Sequence, residues 1–294
     1  MARSFRCVDI GVTMAARRRT GSRTIRLDRS LEALPLFRLS DSTEDDTISL
    51  ADAEGRRWRV MPNPGERMPG TFDQDVYVEL MRRFGEAEAP AHGGVSFTLH
   101  AFLRSIGRRV DGRTYGQLRG ALVRLERTTL ESDGLYESMA GRGRDPVRFT
   151  LLTAAMVERH RSLDREQLAL FEPIAASEPG VARVVLSPVM RENLAANHVV
   201  NLSVSCYWSL ASPVARRLYR LLEVARADER LTWRVALATL AERLPLVQRY
   251  PSHLQRVLQP AHDMLVAAGV LRNAVFRQQR REWFVDYMLG SRPV

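Results

Sequence analysis

Arg277, Gln278, Gln279, Arg280 and Arg281 occupy five consecutive positions with no acid among them. Their common chemistry is hydrogen-bond donation: guanidinium forks and amide N–H groups suit phosphate oxygens and the edges of planar bases. A second set of donors recurs upstream at helical spacing. On a helix from Ser252 at about 100° per residue, Ser252, Gln255, Arg256 and Gln259 cluster on one side, while Leu254, Val257, Leu258, Ala261 and Leu265 form an apolar stripe on the other. Glutamine pairs with adenine and arginine with guanine, each good bidentate contact being worth roughly 1–3 kcal/mol of discrimination. Arg249 precedes this helix and His253 flanks its polar side. Asp263 lies on the outer side further along, where phosphate would be repelled, so the N-terminal half is the part suited to contact. Pro260 is expected to kink the helix near that boundary.

Other chemistries are excluded by what the 294 residues lack. There is no lysine, so all 44 basic residues are arginine, and a Walker-type phosphate loop cannot be built. The six histidines form no His-x-His pair and no metalloprotease spacing, which argues against a metal-dependent nicking site. Two cysteines, Cys7 and Cys206, supply neither a disulfide framework nor a zinc ligand set and suit a reducing cytoplasm. No cofactor, metal or catalytic residue is expected, and the chain reads as a non-enzyme. A net charge of +10 and a pI near 10.6 call for a polyanionic partner. Residues 1–20 hold no signal-peptide core. The uncharged run 193–215 contains three asparagines, four serines and Pro213, and reads as a helix end, a strand and a helix start, not a membrane segment.

The elements that must position these donors follow from periodicity. Residues 1–33 carry eight arginines against three acids with little pattern and read as a disordered basic tail. The stretch 41–54 is acidic and reads as a solvated loop. Residues 56–61 read as a strand, and Asp73 as the cap of a helix with Val76, Leu80, Met81 and Phe84 inward. A strand at 95–97, a helix capped by Thr98, a turn at 107–112 and a third helix from about Thr114 to Glu126 come next. Segments 128–132 and 147–152 then flank a Gly/Arg-rich loop. The second half repeats the order: a strand at 182–187, a helix over 213–226 capped by Ser212, a strand at 231–233, a helix through Leu244, a third helix over 252–268, and two alternating strands around the Arg277–Arg281 tip. Tyr207, Trp208 and Trp58 are assigned to cores.

A weak internal repeat supports the doubling. Phe97, Thr98, Leu99, Leu103 and Ile106 match Leu231, Thr232, Trp233, Leu237 and Leu240 at an offset of 134, and Leu118 and Leu122 match Leu254 and Leu258 at 136. Helix, strand, helix, turn, helix and two-stranded wing is the order of a winged helix. The expected fold is α+β, two tandem winged-helix domains, with residues 1–33 as tail, 34–178 as the first domain and 179–294 as the second. In the first domain Arg108, Arg109, Arg113, Gln117, Arg119 and Arg124, with Arg142 and Arg144 from the loop, are the candidate DNA contacts.

Several stretches in order resemble plasmid-type replication initiators of the replication initiator protein A group: LPLFRLS (34–40), GTFDQDVYVEL (70–80), FTLHAFLRSIGR and GRTYGQLRGALVRLERTTLES (within 97–132), ARRLYRLL (215–222), LAERLPL (240–246) and HLQRVLQPAHDML (253–265). ARADER (225–230) departs from the more basic helix end of that group. The resemblance implies binding to direct repeats in an origin as double-stranded DNA, opening of an adjacent AT-rich segment, and recruitment of the host's initiator or replicative helicase. It also implies a homodimer that represses its own promoter, and a cytoplasmic protein associated with nucleoid or plasmid. A winged-helix transcriptional repressor on an operator is the alternative from the same parts.

Overall fold

The computed structural model describes residues 23–39, 47–139, 143–157, 181–248 and 250–291. Residues 24–33 are structured and not a tail: strand β1 (Thr24–Asp28) runs into the single-turn helix α1 (Arg29–Glu32). Ile25 and Leu27 alternate with Thr24 and Arg26 and are fully buried, a two-residue period too short to stand out among eight arginines. Asp28 caps α1 through the N–H groups of Ser30 and Leu31. Residues 1–22 and 41–46, which carry the rest of the expected tail and four of the six acids of the expected loop, lie outside the described residues, and Ile48–Ala51 of that loop is a strand.

The chain continues through β2 (Ile48–Ala51), β3 (Arg57–Met61), α2 (Thr71–Glu86), β4 (Gly94–Thr98), α3 (Leu99–Ser105), α4 (Gly112–Arg127), β5 (Thr129–Asp133), β6 (Val147–Phe149), β7 (Leu152–Val157) and β8 (Val181–Leu186). Strands β5 and β6, from the two segments that flank the Gly/Arg-rich loop, pair with each other in a four-stranded sheet of order β2-β3-β5-β6. Trp58, Val60, Leu130 and Phe149 form the buried face of that sheet, and Trp58 Nε1 donates to Pro35 O at 2.7 Å. The strand of the first helix–turn–helix, β4, pairs instead with β8, and β8 with β7. The first wing is therefore β7–β8. This moves the expected boundary at 178/179: β8, read as the opening strand of the second half, completes the first. Alternation tells a strand's buried face but not its partner.

The remaining elements are α5 (Pro188–Ala195), β9 (Val199–Ser203), α6 (Val204–Ser209), α7 (Pro213–Ala227), β10 (Thr232–Ala236), α8 (Leu237–Arg243), α9 (Pro251–Ala267), β11 (Leu271–Gln279) and β12 (Glu282–Leu289). The uncharged run thus holds a helix end, a strand, a short helix and a helix start, the last capped by Ser212 through the Ala215 N–H. Sheet order β10-β12-β11 repeats β4-β8-β7, so two winged helices stand in tandem, α2 and α7 being their first helices. The internal repeat is present but shifted from the sequence register. The helix caps Thr98 and Ala236 correspond at an offset of 138, which places Leu99, Phe102, Leu103 and Ile106 with Leu237, Leu240, Ala241 and Leu244, all buried. At 140, Leu118, Ala121, Leu122 and Leu125 correspond to Leu258, Ala261, His262 and Leu265, again all buried. The error of four residues is close to one helical turn, across which a leucine stripe nearly matches itself.

Among the described residues, two of the contacts that join the halves stand out. Strand β1 pairs antiparallel with β9, from Thr24 opposite Ser203 to Asp28 opposite Val199. Beside it, α1 packs on α7, and its fully buried Glu32 reaches Tyr77 of α2. Arg217 Nη1 and Arg220 Nη1 lie 3.3 and 3.2 Å from its carboxylate, and Tyr77 donates its hydroxyl at 3.1 Å. Arg217 also donates to the carbonyls of Glu32, Leu34 and Arg243, while Arg220 donates to Gln74 and sits against the Phe37 and Tyr77 rings. Burial, with the neighbouring Arg220 charge, lowers Arg217 to about 9, so it remains charged at neutral pH. Next to this cluster Asp75 of α2 accepts from Arg216 of α7 at 2.6 Å.

Removing one partner from such a cluster leaves buried charge uncompensated, at a cost of about 3–5 kcal/mol, whereas loss of one neutral donor costs about 1 kcal/mol. Glu32→Ala is therefore expected to lower the unfolding free energy by about 3–5 kcal/mol and Tyr77→Phe by about 1 kcal/mol. Urea denaturation measures both; a Glu32→Ala loss no greater than that of Tyr77→Phe rejects the charge-balancing role.

Candidate nucleic-acid interface

The last helix–turn–helix and its wing form one block. Pro251 sits at the first turn of α9, where a missing N–H costs nothing, and Leu254, Leu258, Ala261, His262 and Leu265 face inward. His262 Nε2 is hydrogen-bonded to the Tyr287 hydroxyl of β12 at 2.9 Å, its ring lies 5.2 Å from that of Phe276 on β11, and Tyr287 stacks on Trp233 of β10. One buried histidine thus fixes the helix against both wing strands. Burial holds it down at about 4, and its Nδ1 has no partner, so the cation would leave an N–H unsatisfied. Sequence reasoning missed this residue because a histidine on an apolar stripe gives no signal of its partner; the Tyr287 hydroxyl emerges only from the pairing of the strands.

The outer face of α9 carries Ser252, His253, Arg256 and Gln259, all exposed. Gln255 is half-buried and its Nε2 has no hydrogen-bond partner, while Gln259 donates to Asp263 at 2.8 Å, so the two glutamines are not equally available. Pro260 lies inside the helix on its exposed side, and the helix runs on past it to Ala267. Arg249 lies outside the described residues.

The wing is longer than the sequence suggests. Strands β11 and β12 pair from Leu271–Leu289 to Gln279–Glu282, leaving only Arg280 and Arg281 as the turn. Arg277, Gln278 and Gln279, read as tip, belong to β11 and are exposed. Arg277 Nε lies 2.9 Å from Asp286, and Gln279 accepts from Arg234 at 2.6 Å. Arg280 adopts φ 56°, a left-handed conformation that favours glycine or asparagine, yet an arginine stands there. Arg256, Arg280 and Arg281 make no ion pair among the described residues, and all three are exposed.

The first half is more encumbered. Asp111 caps α4 and forms a capping box with Thr114. Arg113 and Gln117 are exposed on its first turns, and the Arg109 side chain is almost wholly exposed. Arg108 reaches Asp75 at 3.3 Å and lies over the Phe72 ring. Arg124 is drawn back onto Asp73, donating to it at 2.8 Å, and is largely buried. Asp73 in turn accepts the Gly70 N–H inside α2, so it is the third residue of that helix and not its cap. Arg119 is half-buried with an unpartnered Nε. Arg144 is exposed near Glu137, on the β5–β6 connection outside the wing, and Arg142 lies outside the described residues. The structure therefore gathers the unpaired candidates on α9 and its wing, with a smaller set at the start of α4. Among the described residues no three His, Cys, Asp or Glu side chains gather as metal ligands, and no helix is long and apolar enough to cross a membrane.

Donors of this kind arrayed on a helix and an adjacent hairpin can grip phosphates and reach base edges in a groove. The family model described as replication initiator protein A matches residues 26–264. No curated protein matches the chain. Among solved structures, domains 2 and 3 of RctB align with a TM-score of 0.57 at 10% identity, covering 88% of this chain and 98% of that one. A second structure of RctB domains 2–3 gives a TM-score of 0.52 at 11% identity, covering 90% and 97%. The Pi initiator protein, solved in complex with iteron DNA, gives a TM-score of 0.50 at 11% identity, covering 92% and 99%. At such identities these likenesses speak for the fold.

Two outcomes test the block. Alanine at Arg280 and Arg281 is expected to weaken binding nearly equally on all DNA sequences and to flatten the salt dependence by about one to two phosphate contacts; titration at several salt concentrations checks it, and an unchanged slope rejects the wing contact. His262, with its folded value below the unfolded one near 6.5, contributes stability that is complete above 6.5 and is lost as the pH falls towards 4. Asp28, which burial raises to about 6, acts in the opposite sense, since its contribution is lost as the pH rises through that value. The readout is therefore the difference between wild type and His262→Gln, expected to shrink by about 3 kcal/mol from pH 7 to pH 4 in urea denaturation.

Proposed function

The chain belongs to the replication initiator protein A family, and from that premise we propose that it binds repeated sites in a replication origin as duplex DNA and initiates replication from them. The observation that carries this reading is the doubling of the winged helix in one chain, with exposed arginines and glutamines on α9, its wing and the start of α4. A simple repressor obtains two half-sites by dimerising one such domain, whereas a chain with two unlike domains suits asymmetric, directly repeated sites. The Pi initiator, whose fold is similar, was solved on iteron DNA, which supports repeats as the target.

No catalytic residue is needed in this proposal. Opening of a neighbouring segment draws on binding energy from many contacts that bend and strain the duplex. Recruitment of the host's initiator or replicative helicase, self-association into a dimer and a cytoplasmic place beside the replicon complete the reading, resting on the family.

DNase footprinting on the DNA flanking the gene is expected to give an array of direct repeats; a lone palindrome would point to an operator and a repressor. The gene with that flanking DNA is expected to sustain a replicon, and a metal-dependent nick on the supercoiled fragment would overturn the non-enzymatic mechanism.

A further inference from the structure

At the N-cap of α9 stands Tyr250, 72% exposed, the largest side chain on the mouth of the helix that carries the free donors. Two features of this position run against stability. The cap residue of the corresponding helix α4 is Asp111, which accepts the Thr114 N–H at 2.9 Å; Tyr250 makes no side-chain cap bond. Asp, Asn, Ser or Thr would be the stabilising choice there, and an aromatic ring left in water adds nothing to the core. The ring is nevertheless set in place: it meets His253 of the first turn edge-on, with centroids 5.8 Å apart. His253 is itself exposed, as are Ser252 and Arg256 beyond it.

We propose that Tyr250 is a specificity-determining residue whose ring, held by His253, packs against a thymine methyl group in the major groove. The chemistry follows from the groove: the thymine 5-methyl is the one apolar group displayed there, and an apolar side chain at the start of a recognition helix distinguishes it from the other bases by contact. Arg256 and Gln259 on the next turns are hydrogen-bond donors, so Tyr250 supplies the recognition they cannot. This inference rests on the duplex-binding reading above and assigns one of its base preferences.

The test uses the full chain and a synthetic duplex of the repeat footprinted in its own flanking DNA, with each thymine replaced singly by deoxyuridine, which removes only the methyl group. Wild type is expected to lose several-fold in affinity at one or two thymines. Tyr250→Ser, which restores a capping residue, is expected to melt higher than wild type, to bind about tenfold more weakly, and to show no further loss at those thymines. Tyr250→Phe is expected to bind as wild type does. The assignment is overturned if Tyr250→Ser binds like wild type, if it keeps the full deoxyuridine penalty, or if Tyr250→Phe is as weak as the serine variant, which would give the contact to the hydroxyl. A footprint that forms but is indifferent to Tyr250 sinks this inference alone; absence of any footprint sinks the initiator reading and this inference with it.

Discussion

A buried carboxylate ties the second half of the chain to the first. Glu32 is fully buried between α1, α2 and α7, and two arginines converge on it from the second half of the chain. The cluster carries one more positive than negative charge, so it depends on the carbonyls that accept from Arg217 and on the aromatic faces beside Arg220. Arginine suits this role because its planar fork engages a carboxylate and several carbonyls at once while staying charged. The orientation of one winged helix against the other, and hence the stretch of duplex both could engage, follows from this seam and from the neighbouring Asp75–Arg216 pair.

That same pair of arginines marks where sequence reading stopped. The leucine stripe of α7 is legible in the sequence, but Arg217 and Arg220 belong to a residue type whose default place is water, and nothing local distinguishes them from Arg256. Elements defined by local period were within reach: the hairpin around Arg280, the helix starts at Thr98 and Ser212, the inward stripes of α4 and α9. Strand partnership was not, since the alternation in β8 is the same whether it opens one domain or closes another. The repeat slipped by four residues for a related reason, leucines on a helix being nearly self-similar from turn to turn. Of the candidate contacts, the exposed N-terminal face of α9 was readable from its polar stripe, whereas the withdrawal of Arg124 onto Asp73 depends on how α2 and α4 cross.

The two halves share a frame but present it differently. In the first, the opening turn of α4 is capped by an acid, and Arg108 and Arg124 are paired with Asp75 and Asp73. In the second, the cap is an exposed aromatic, the wing ends on two arginines that form no ion pair among the described residues, and a buried histidine ties helix to hairpin. Fixing the helix relative to the wing matters because a groove contact and a phosphate contact are productive together only at one separation.

The pairing of β1 with β9 also bears on how the protein is made. Chain leaves the ribosome from its N-terminus, so β1 emerges with an open edge and an unmatched Glu32, and both wait until Val199–Ser203 and then α7 have been synthesised. The first winged helix, likewise missing its last wing strand until Val181–Leu186 arrives, cannot close early. During translation the nascent first half exposes a bare strand and buried-type apolar surface until those partners emerge, a window in which protection by chaperones has the most to act upon.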